Sequence, residues 1–257
     1  TRMHLRTHVR AEHRGRYQHG DSEYIDGMIE HDETIGKILK ALDDMGIAND
    51  TIVVYSTDNG FEFMMFPDGG YAPYRGEKGT TWEGGVRVPL LVKWPGHIAA
   101  GSEFNGVQCH EDLFVTLAAA AGLPSLKQDL LTGKEMSGTN YKVHLDGYNN
   151  VDYWTGKSPK SARQEVFYYD ETDLMAIRVG PWKLHIGVKH SGDWFDAKSF
   201  PSVPYVVNLL MDPLEKVTPD APGYEYAGRK FVGQKLWAPT AAGPYLAAHL
   251  KSMVGFA

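Results

Sequence analysis

Three short stretches of the chain contain residues whose types and spacing could do chemistry. The first is Thr57-Asp58-Asn59-Gly60, which follows a run of β-branched residues. A carboxylate and an amide oxygen side by side suit a hard cation such as Ca²⁺ or Mg²⁺, and open α/β sheets place ligands just beyond their strands. Asn-Gly is also a common hairpin turn. The tetrapeptide alone therefore fits either a cation site or a turn.

The second stretch, residues 75–89, places glycines on both sides of Lys78. Glycine lets the backbone approach a ligand closely, and the lysine ammonium is a compact point charge. An anion held between a cation and an ammonium would use this arrangement. The alternative is a solvated glycine-rich loop, which physical chemistry alone favours.

The third stretch contains His4 and His8. Four residues apart on a helix, the two imidazoles would lie on one face and could hold zinc, but there is no HExxH motif and no obvious third ligand. A histidine beside an ester oxygen could instead act as an acid. A packed or solvated histidine is the simpler alternative.

The elements that must position these residues follow from apolar periodicity. Apolar residues at steps of three and four predict a helix over 22–45, capped by Asp21 or Ser22 and closed by Gly46. The apolar run at 51–57 predicts a buried strand. Further expected elements are a long ordered loop at 59–85, a strand at 88–94 and a helix at 111–121.

The pattern changes after about residue 125. Short apolar runs separated by turns, at 166–169, 174–179, 182–186 and 205–210, predict an antiparallel sheet. We therefore expect an α/β protein with three parts. They are an α/β portion at 1–125, a smaller antiparallel subdomain at 126–216 and a surface-wrapping tail at 217–257.

Composition excludes several classes of protein. The 257 residues contain 26 Lys and Arg against 32 Asp and Glu, for a formal net charge of −6, so nothing suggests a nucleic-acid footprint. A single cysteine, Cys109, excludes an internal disulfide framework and any CxxC site. No window approaches the roughly 18 apolar residues of a membrane-spanning helix.

Taken together, these stretches resemble a known family. The order MHxxTH, a helix, a strand ending in TDNG, RGEKGTTWEGGVRVP and then HEDLFVTLAAAAGLP is similar to type I sulfatases of the alkaline phosphatase superfamily. The resemblance is close over residues 1 to about 125 and weaker through MAIRVGPWKLH and VVNLLMDPLE. It implies part of an alkaline-phosphatase-like sheet flanked by helices, and a periplasmic or secreted protein.

The resemblance also implies a role for four residues. Asp58 and Asn59 match two ligands of a divalent cation, usually calcium, and Lys78 matches the lysine that contacts sulfate. His4 matches the histidine that helps protonate the leaving alcohol. In the family a formylglycine hydrate attacks sulfur, while the cation and cationic side chains stabilise the charge on oxygen. The implied activity is hydrolysis of a small-molecule or sugar sulfate ester.

The chain departs from the family pattern in one important respect. The C/S-x-P-S-R motif that is converted to formylglycine is missing, as is the aspartate pair near the first strand. Cys109 lacks Pro and Arg at the required offsets, and in the partial match at 199–203 Val203 replaces the Arg. We therefore expect the C-terminal half of a sulfatase, holding half of the active site.

One consequence and two alternatives follow from this departure. A buried strand needs neighbours, so we expect the chain to associate with the missing N-terminal half or with a second copy. One alternative is a non-catalytic, sulfatase-derived binding protein. The other is a phosphate or phosphonate ester hydrolase of the same superfamily, since a cation with Lys and His could also serve phosphoryl transfer.

Overall fold

A computed structural model of the chain describes residues 8–20, 22–66 and 71–256. Contacts divide the chain into two units. The first consists of Thr1–Gly96, Lys189–Ser199 and Pro213–Glu215, and the second of His97–Val188, Phe200–Asp212 and Lys216–Ala257. The domain bounds expected from composition, at 125 and 216, stay a prediction.

The helices and strands alternate irregularly along the chain. The helices are α1 (Glu23–Asp44), α2 (Glu83–Val86), α3 (His110–Ala120), α4 (Leu126–Thr132), α5 (Val151–Trp154), α6 (Glu225–Gln234) and α7 (Trp237–Gly255). The strands are β1 (Val53–Ser56), β2 (Leu90–Lys93), β3 (Lys134–Met136), β4 (Thr139–Tyr141), β5 (Glu165–Asp170), β6 (Asp173–Val179), β7 (Trp182–His185), β8 (Val188–Lys189), β9 (Lys198–Ser199) and β10 (Tyr205–Asn208). Within the described ranges, no helix is long and apolar enough to cross a membrane.

Helix α1 begins and ends where the sequence predicts. The Ser22 hydroxyl accepts a hydrogen bond from the Ile25 N–H at 3.1 Å, which caps the first turn. At the other end Gly46 adopts φ 71°, and the Ile47 N–H donates to the Leu42 carbonyl at 3.1 Å. This left-handed glycine closure satisfies carbonyls that the last turn leaves without partners.

Buried acidic residues of α1 fix the segment that precedes it. The Asp26 carboxylate accepts hydrogen bonds from the Gly15 and Tyr17 N–H groups at 2.6 and 2.8 Å. The Glu30 carboxylate accepts from the backbone and side chain of Arg10 at 3.1 and 2.8 Å. The face of α1 that packs inside the first unit is therefore partly polar, which its apolar periodicity did not predict.

Strand β1 forms at the expected place but is not buried. It pairs antiparallel with β2, from Val53 opposite Lys93 to Ser56 opposite Leu90, and these two strands make up the whole sheet in the described part of the chain. All four β1 residues are half-exposed, and Leu91 is 60% exposed. The expectation of burial is wrong here because two strands cannot cover each other's faces.

The second unit contains the predicted antiparallel sheet. Its strand order is β10-β7-β6-β5, and every neighbouring pair is antiparallel. The C-terminal segment forms α6 and α7, which contribute Val232, Ala238 and Ala242 to a core with sheet residues Ile177, Leu184 and Val206. The wrapping of the surface by the tail stays a prediction. The predicted α/β class with a small antiparallel subdomain is confirmed.

Polar residues link α3 to the same sheet. The Arg163 guanidinium, buried, donates to Asp112 from Nε and Nη2, at 2.9 and 2.7 Å, and from Nη2 to Glu111 at 2.6 Å. Asp112 also accepts from the Cys109 N–H at 2.9 Å, at the start of α3. Cys109 therefore has a fixed structural position at a helix N-terminus.

The loss of solvation at Cys109 predicts an unreactive thiol. Burial raises the pKa of Cys109 from 9.0 to about 12, against a smaller opposing effect of the Arg163 charge. Because only the thiolate is alkylated, iodoacetamide at pH 8 should modify the native chain at least ~100-fold more slowly than the unfolded chain. Mass spectrometry of timed samples, with and without denaturant, measures both rates. Equal rates in the two conditions would contradict the burial of the thiol.

Candidate functional site

The segment after β1 lies against the loop that contains Lys78. The Gly60 N–H donates to the Gly85 carbonyl at 2.9 Å, and the Lys78 N–H donates to the Phe61 carbonyl at 2.8 Å. Asp58 and Asn59 therefore lie three and two residues before Phe61, whose carbonyl pairs with the Lys78 backbone. The two predicted stretches, 20 residues apart in sequence, meet in one part of the first unit.

Glycines make this close backbone packing possible. A Cβ atom on Gly60 would lie 1.8 Å from the Gly84 carbonyl oxygen, and one on Gly84 would lie 2.1 Å from the Gly76 oxygen. A Cβ on Gly85 would lie 2.3 Å from the Glu77 oxygen. Any side chain at these positions would force the two segments apart, which explains the glycines around Lys78.

The Lys78 ammonium forms an ion pair that the sequence did not predict. Its Nζ lies 2.6 Å from Glu62 Oε1, and the two side chains are only 20% and 10% exposed. The same Nζ lies 4.8 Å from the ring centroid of Trp194, within cation–π range. Glu62 belongs to no motif, so only the fold reveals it as the partner of Lys78.

Glu77 holds two further segments beside Lys78. It is 3% exposed, and its carboxylate accepts hydrogen bonds from the backbone N–H groups of Phe63 and Trp194, the latter at 2.9 Å. The indole of Trp194 packs on Gly79, where a Cβ would lie 2.0 Å from Trp194 Cδ1. Trp194 is 116 residues from Lys78, and no sequence signal connects them.

Lys189, at the start of the segment that ends at Trp194, is hydrogen-bonded to the Lys78 loop and to Trp194. Its ammonium donates to the carbonyls of Gly79 and Trp194 at 2.9 and 2.8 Å. The Lys189 carbonyl accepts from the Trp82 indole N–H at 2.8 Å. Both ends of the 189–194 segment are therefore hydrogen-bonded to the loop that contains Lys78.

The predicted cation ligands make local contacts. Asp58 Oδ1 accepts from the Asn59 N–H at 3.0 Å, and the Asn59 side-chain amide donates to the Gly60 carbonyl at 2.8 Å. Asp58 is exposed. In the described ranges, no group of three or more His, Cys, Asp or Glu side chains is arranged to hold a metal ion.

His4 lies outside the described residues, so its predicted role stays a prediction. The segment that follows is held by α1. His8 Nδ1 lies 3.1 Å from Glu23 Oε1, and His13 Nε2 lies 2.8 Å from Glu33 Oε2. Carboxylates of α1 are therefore the partners of these two histidines.

Comparison with known proteins finds similarity to sulfatases. A family model described as Sulfatase matches residues 6–123. Arylsulfatase A of Homo sapiens is 38% identical over 190 residues, which cover 70% of the chain and 33% of the relative. N-acetylgalactosamine-6-sulfatase of Rattus norvegicus is 33% identical, covering 63% and 28%, and human steryl-sulfatase is 32% identical, covering 65% and 27%.

Solved structures extend the similarity over most of the chain. PsFucS1 sulfatase from Pseudoalteromonas sp. superposes with a TM-score of 0.70 at 28% identity, covering 92% of the chain and 44% of that protein. Ps i-CgsB superposes at 0.59 with 23% identity, which supports the fold alone. The chain thus has the α/β fold of alkaline-phosphatase-like proteins.

The family model, the relatives and the solved structures support a type I sulfatase, and the chain covers the C-terminal part of these relatives. It spans about a third of the length of the curated relatives it matches. Asp58, Asn59 and Lys78 all lie inside the matched residues 6–123.

The packing of Trp194 on Gly79 generates a testable prediction. Gly79 has φ 78°, so Gly79→Ala adds both backbone strain and a collision with the indole. We expect a loss of about 1–3 kcal/mol in the free energy of unfolding. The indole N–H resonance of Trp194, assigned with a Trp194→Phe variant, should also shift.

The matched control is Gly36→Ala on the exposed face of α1. A Cβ there meets nothing within 4 Å, and φ is ordinary for a helix. This change should leave the Trp194 resonance in place and stabilise the protein by up to about 1 kcal/mol. If Gly79→Ala behaves in the same way, the described packing is wrong.

Proposed function

We propose that the chain forms part of a sulfuric ester hydrolase, in which Lys78 binds the sulfate group of a monoester. The main support is the pairing of the Lys78 backbone with the segment directly after Asp58 and Asn59. This pairing puts a cationic side chain and two oxygen-bearing side chains on adjoining segments. The names of the relatives, all sulfatases, agree with this activity.

Lys78 can bind sulfate while it keeps its ion pair with Glu62. An ammonium has three N–H donors, and the ion pair with Glu62 uses one of them. A sulfate oxygen can take another, in surroundings where low exposure strengthens charge-assisted hydrogen bonds. Glu62 also compensates the buried charge of Lys78 when no anion is bound.

Asp58 and Asn59 have suitable chemistry for a divalent cation such as Ca²⁺. Ca²⁺ takes about six to eight oxygen ligands, and these residues offer a carboxylate and an amide oxygen. The remaining ligands would come from outside the described residues. When bound, the cation would stabilise negative charge on the sulfate oxygens.

Two further groups that the proposed reaction needs lie outside the described site. His4 would protonate the leaving alcohol as a general acid. The nucleophile, a formylglycine in the family, is assigned to no residue of these 257, because none lies in a C/S-x-P-S-R motif.

The same missing motif favours a second candidate function for this chain alone, which is binding of sulfate esters without hydrolysis. The two candidates differ in turnover. The 257-residue chain should bind 4-nitrophenyl sulfate but release no 4-nitrophenol. Release at a rate above that of the Lys78→Ala variant would place the nucleophile within the chain after all.

Sulfate binding tests the role of Lys78. Lys78→Ala removes a charge-assisted donor, so the affinity for inorganic sulfate, measured by calorimetry, should fall about tenfold or more. Lys37→Ala, an exposed lysine of α1, is the matched control for the loss of one positive charge. Equal affinities in the two variants would defeat the assignment.

Calcium binding tests the role of Asp58. Ligand charge sets much of the affinity of such sites, so Asp58→Ala should weaken Ca²⁺ binding at least about tenfold. Asp32→Ala, an exposed carboxylate of α1, controls for the general loss of negative charge. A wild-type chain that binds no Ca²⁺, or an Asp58→Ala chain that binds it unchanged, would remove Asp58 from the site.

A further inference from the structure

Glu215 is buried and adopts an unusual backbone conformation. It is 0% exposed, and its φ of 53° lies in the left-handed region that favours glycine. The other non-glycine residues with positive φ in the described ranges, Ser137 and Glu171, are exposed. Strain of this kind persists where surrounding contacts fix it, and it is common at functional sites. The contacts that fix Glu215 therefore indicate its role.

Glu215 holds the end of the loop that contains Lys78. Its Oε2 accepts a hydrogen bond from the Glu83 N–H at 2.6 Å, and both residues are buried. A hydrogen bond to a carboxylate is stronger than one between neutral groups, and more so away from water. The chain that follows Lys78 is therefore fixed at Glu83.

Glu215 also contacts the start of the same loop. Arg75 Nη1 donates a long hydrogen bond of 3.5 Å to the Glu215 carbonyl, and Nη2 donates to the His190 carbonyl at 2.7 Å. The guanidinium carbon lies 3.7 Å from the Trp82 ring centroid, a cation–π contact. Because the Gly84 N–H donates to the Arg75 carbonyl at 2.7 Å, the two ends of the loop lie side by side.

One residue thus contacts both ends of the loop, with its carbonyl at Arg75 and its carboxylate at Glu83. A glycine would relieve the strain at position 215, but it has no carboxylate for the Glu83 N–H. Glutamate provides both contacts at the cost of backbone strain.

The charge of Glu215 has the wrong sign to attract sulfate. A carboxylate repels an anion at any distance, so electrostatics alone would make its removal favourable for sulfate binding. A favourable effect of Glu215 on sulfate binding must therefore come from the position that it gives to other groups. Lys78, in the middle of the loop whose ends Glu215 holds, is such a group.

We propose that Glu215 is a positioning residue for Lys78, and that it holds the ammonium where sulfate binds by fixing both ends of the loop. The inference rests on the proposed role of Lys78 as the sulfate ligand. Glu215 lies outside residues 6–123, the part of the chain that the Sulfatase family model matches.

Calorimetry with inorganic sulfate and the 257-residue chain tests the inference. Glu215→Gly relieves the strain and removes the carboxylate, so the affinity for sulfate should fall about 5- to 10-fold as the loop loses its preorganisation. Glu215→Gln loses the charge but keeps an oxygen that can accept the Glu83 N–H, so its affinity should stay within about twofold of the wild-type value or exceed it. The Arg75 contact uses the backbone carbonyl, so these variants test the carboxylate.

The matched control is Glu171→Gly, which replaces an exposed glutamate with φ 57°. It should leave the affinity for sulfate unchanged. Unchanged or tighter sulfate binding by Glu215→Gly would overturn the inference, and so would equal losses in Glu215→Gly and Glu215→Gln.

Amide hydrogen exchange gives a second readout that does not depend on sulfate. The Lys78 N–H donates to the Phe61 carbonyl, and in Glu215→Gly it should exchange at least about tenfold faster while the amides of α1 keep their wild-type rates. Equal acceleration of the α1 amides would mean that the carboxylate stabilises the whole unit and not the loop, which contradicts the inference.

Glu215→Asn is a second variant in case Glu215→Gly does not fold. Asparagine tolerates positive φ, but its side-chain oxygen is one methylene short of the Glu83 N–H, so the same losses are expected. Thermal denaturation checks the folding of each variant. If neither variant folds, the role of Glu215 is general stability and the inference is wrong.

A double-mutant cycle separates the inference from the proposed function. In a Lys78→Ala background, Glu215→Gly should cause no further loss of sulfate affinity, because its effect passes through Lys78. A further loss of the same size would overturn the inference and leave the role of Lys78 intact. If Lys78→Ala alone leaves sulfate binding unchanged, the proposed function fails, and the exchange rate of the Lys78 amide then decides whether Glu215 positions the loop.

Discussion

The buried carboxylate of Glu77 is the interaction on which the candidate site depends. It accepts two backbone N–H groups, from Phe63 and Trp194, that are far apart in sequence, and it is almost completely removed from water. Without it, those two part-buried donors would lose their carboxylate partner, and the segments of Phe63 and Trp194 would no longer be held beside Lys78. Because Lys78 is the next residue, its position follows from the same contacts.

Charge balance is the second constraint on this region. Lys78 and Glu62 neutralise each other at low exposure, so an anion that reaches Lys78 also meets a carboxylate. A divalent cation held by the nearby Asp58 and Asn59 would offset that repulsion, since opposite charges act strongly where water is scarce. The proposed cation site and the proposed sulfate site are therefore coupled, and each should bind its ion more tightly when the other is occupied.

The sequence predicted what depends on neighbouring residues and missed what depends on distant ones. Periodicity and capping residues placed α1 between Ser22 and Gly46, and turn spacing predicted the four-stranded antiparallel sheet. Glu62 and Trp194 escaped prediction because their contacts to Lys78 and Glu77 span 16 and 117 residues. The motif around Lys78 was visible as a family pattern, but the reason for its glycines, close backbone packing, required coordinates.

The residue types of β1 are those of a buried strand, although the strand is half-exposed, and this mismatch has a physical explanation. Val53, Val54 and Tyr55 suit a strand with neighbours and covering layers, yet they lie half-exposed in a sheet of two strands. Leu91 on the partner strand is largely exposed as well. Residues of this kind suit a larger sheet than the two strands described, and the chain covers 44% of the PsFucS1 sulfatase. Open α/β sheets collect their functional groups just beyond their strands, and the segment that follows β1, with Asp58 and Asn59, is in such a position.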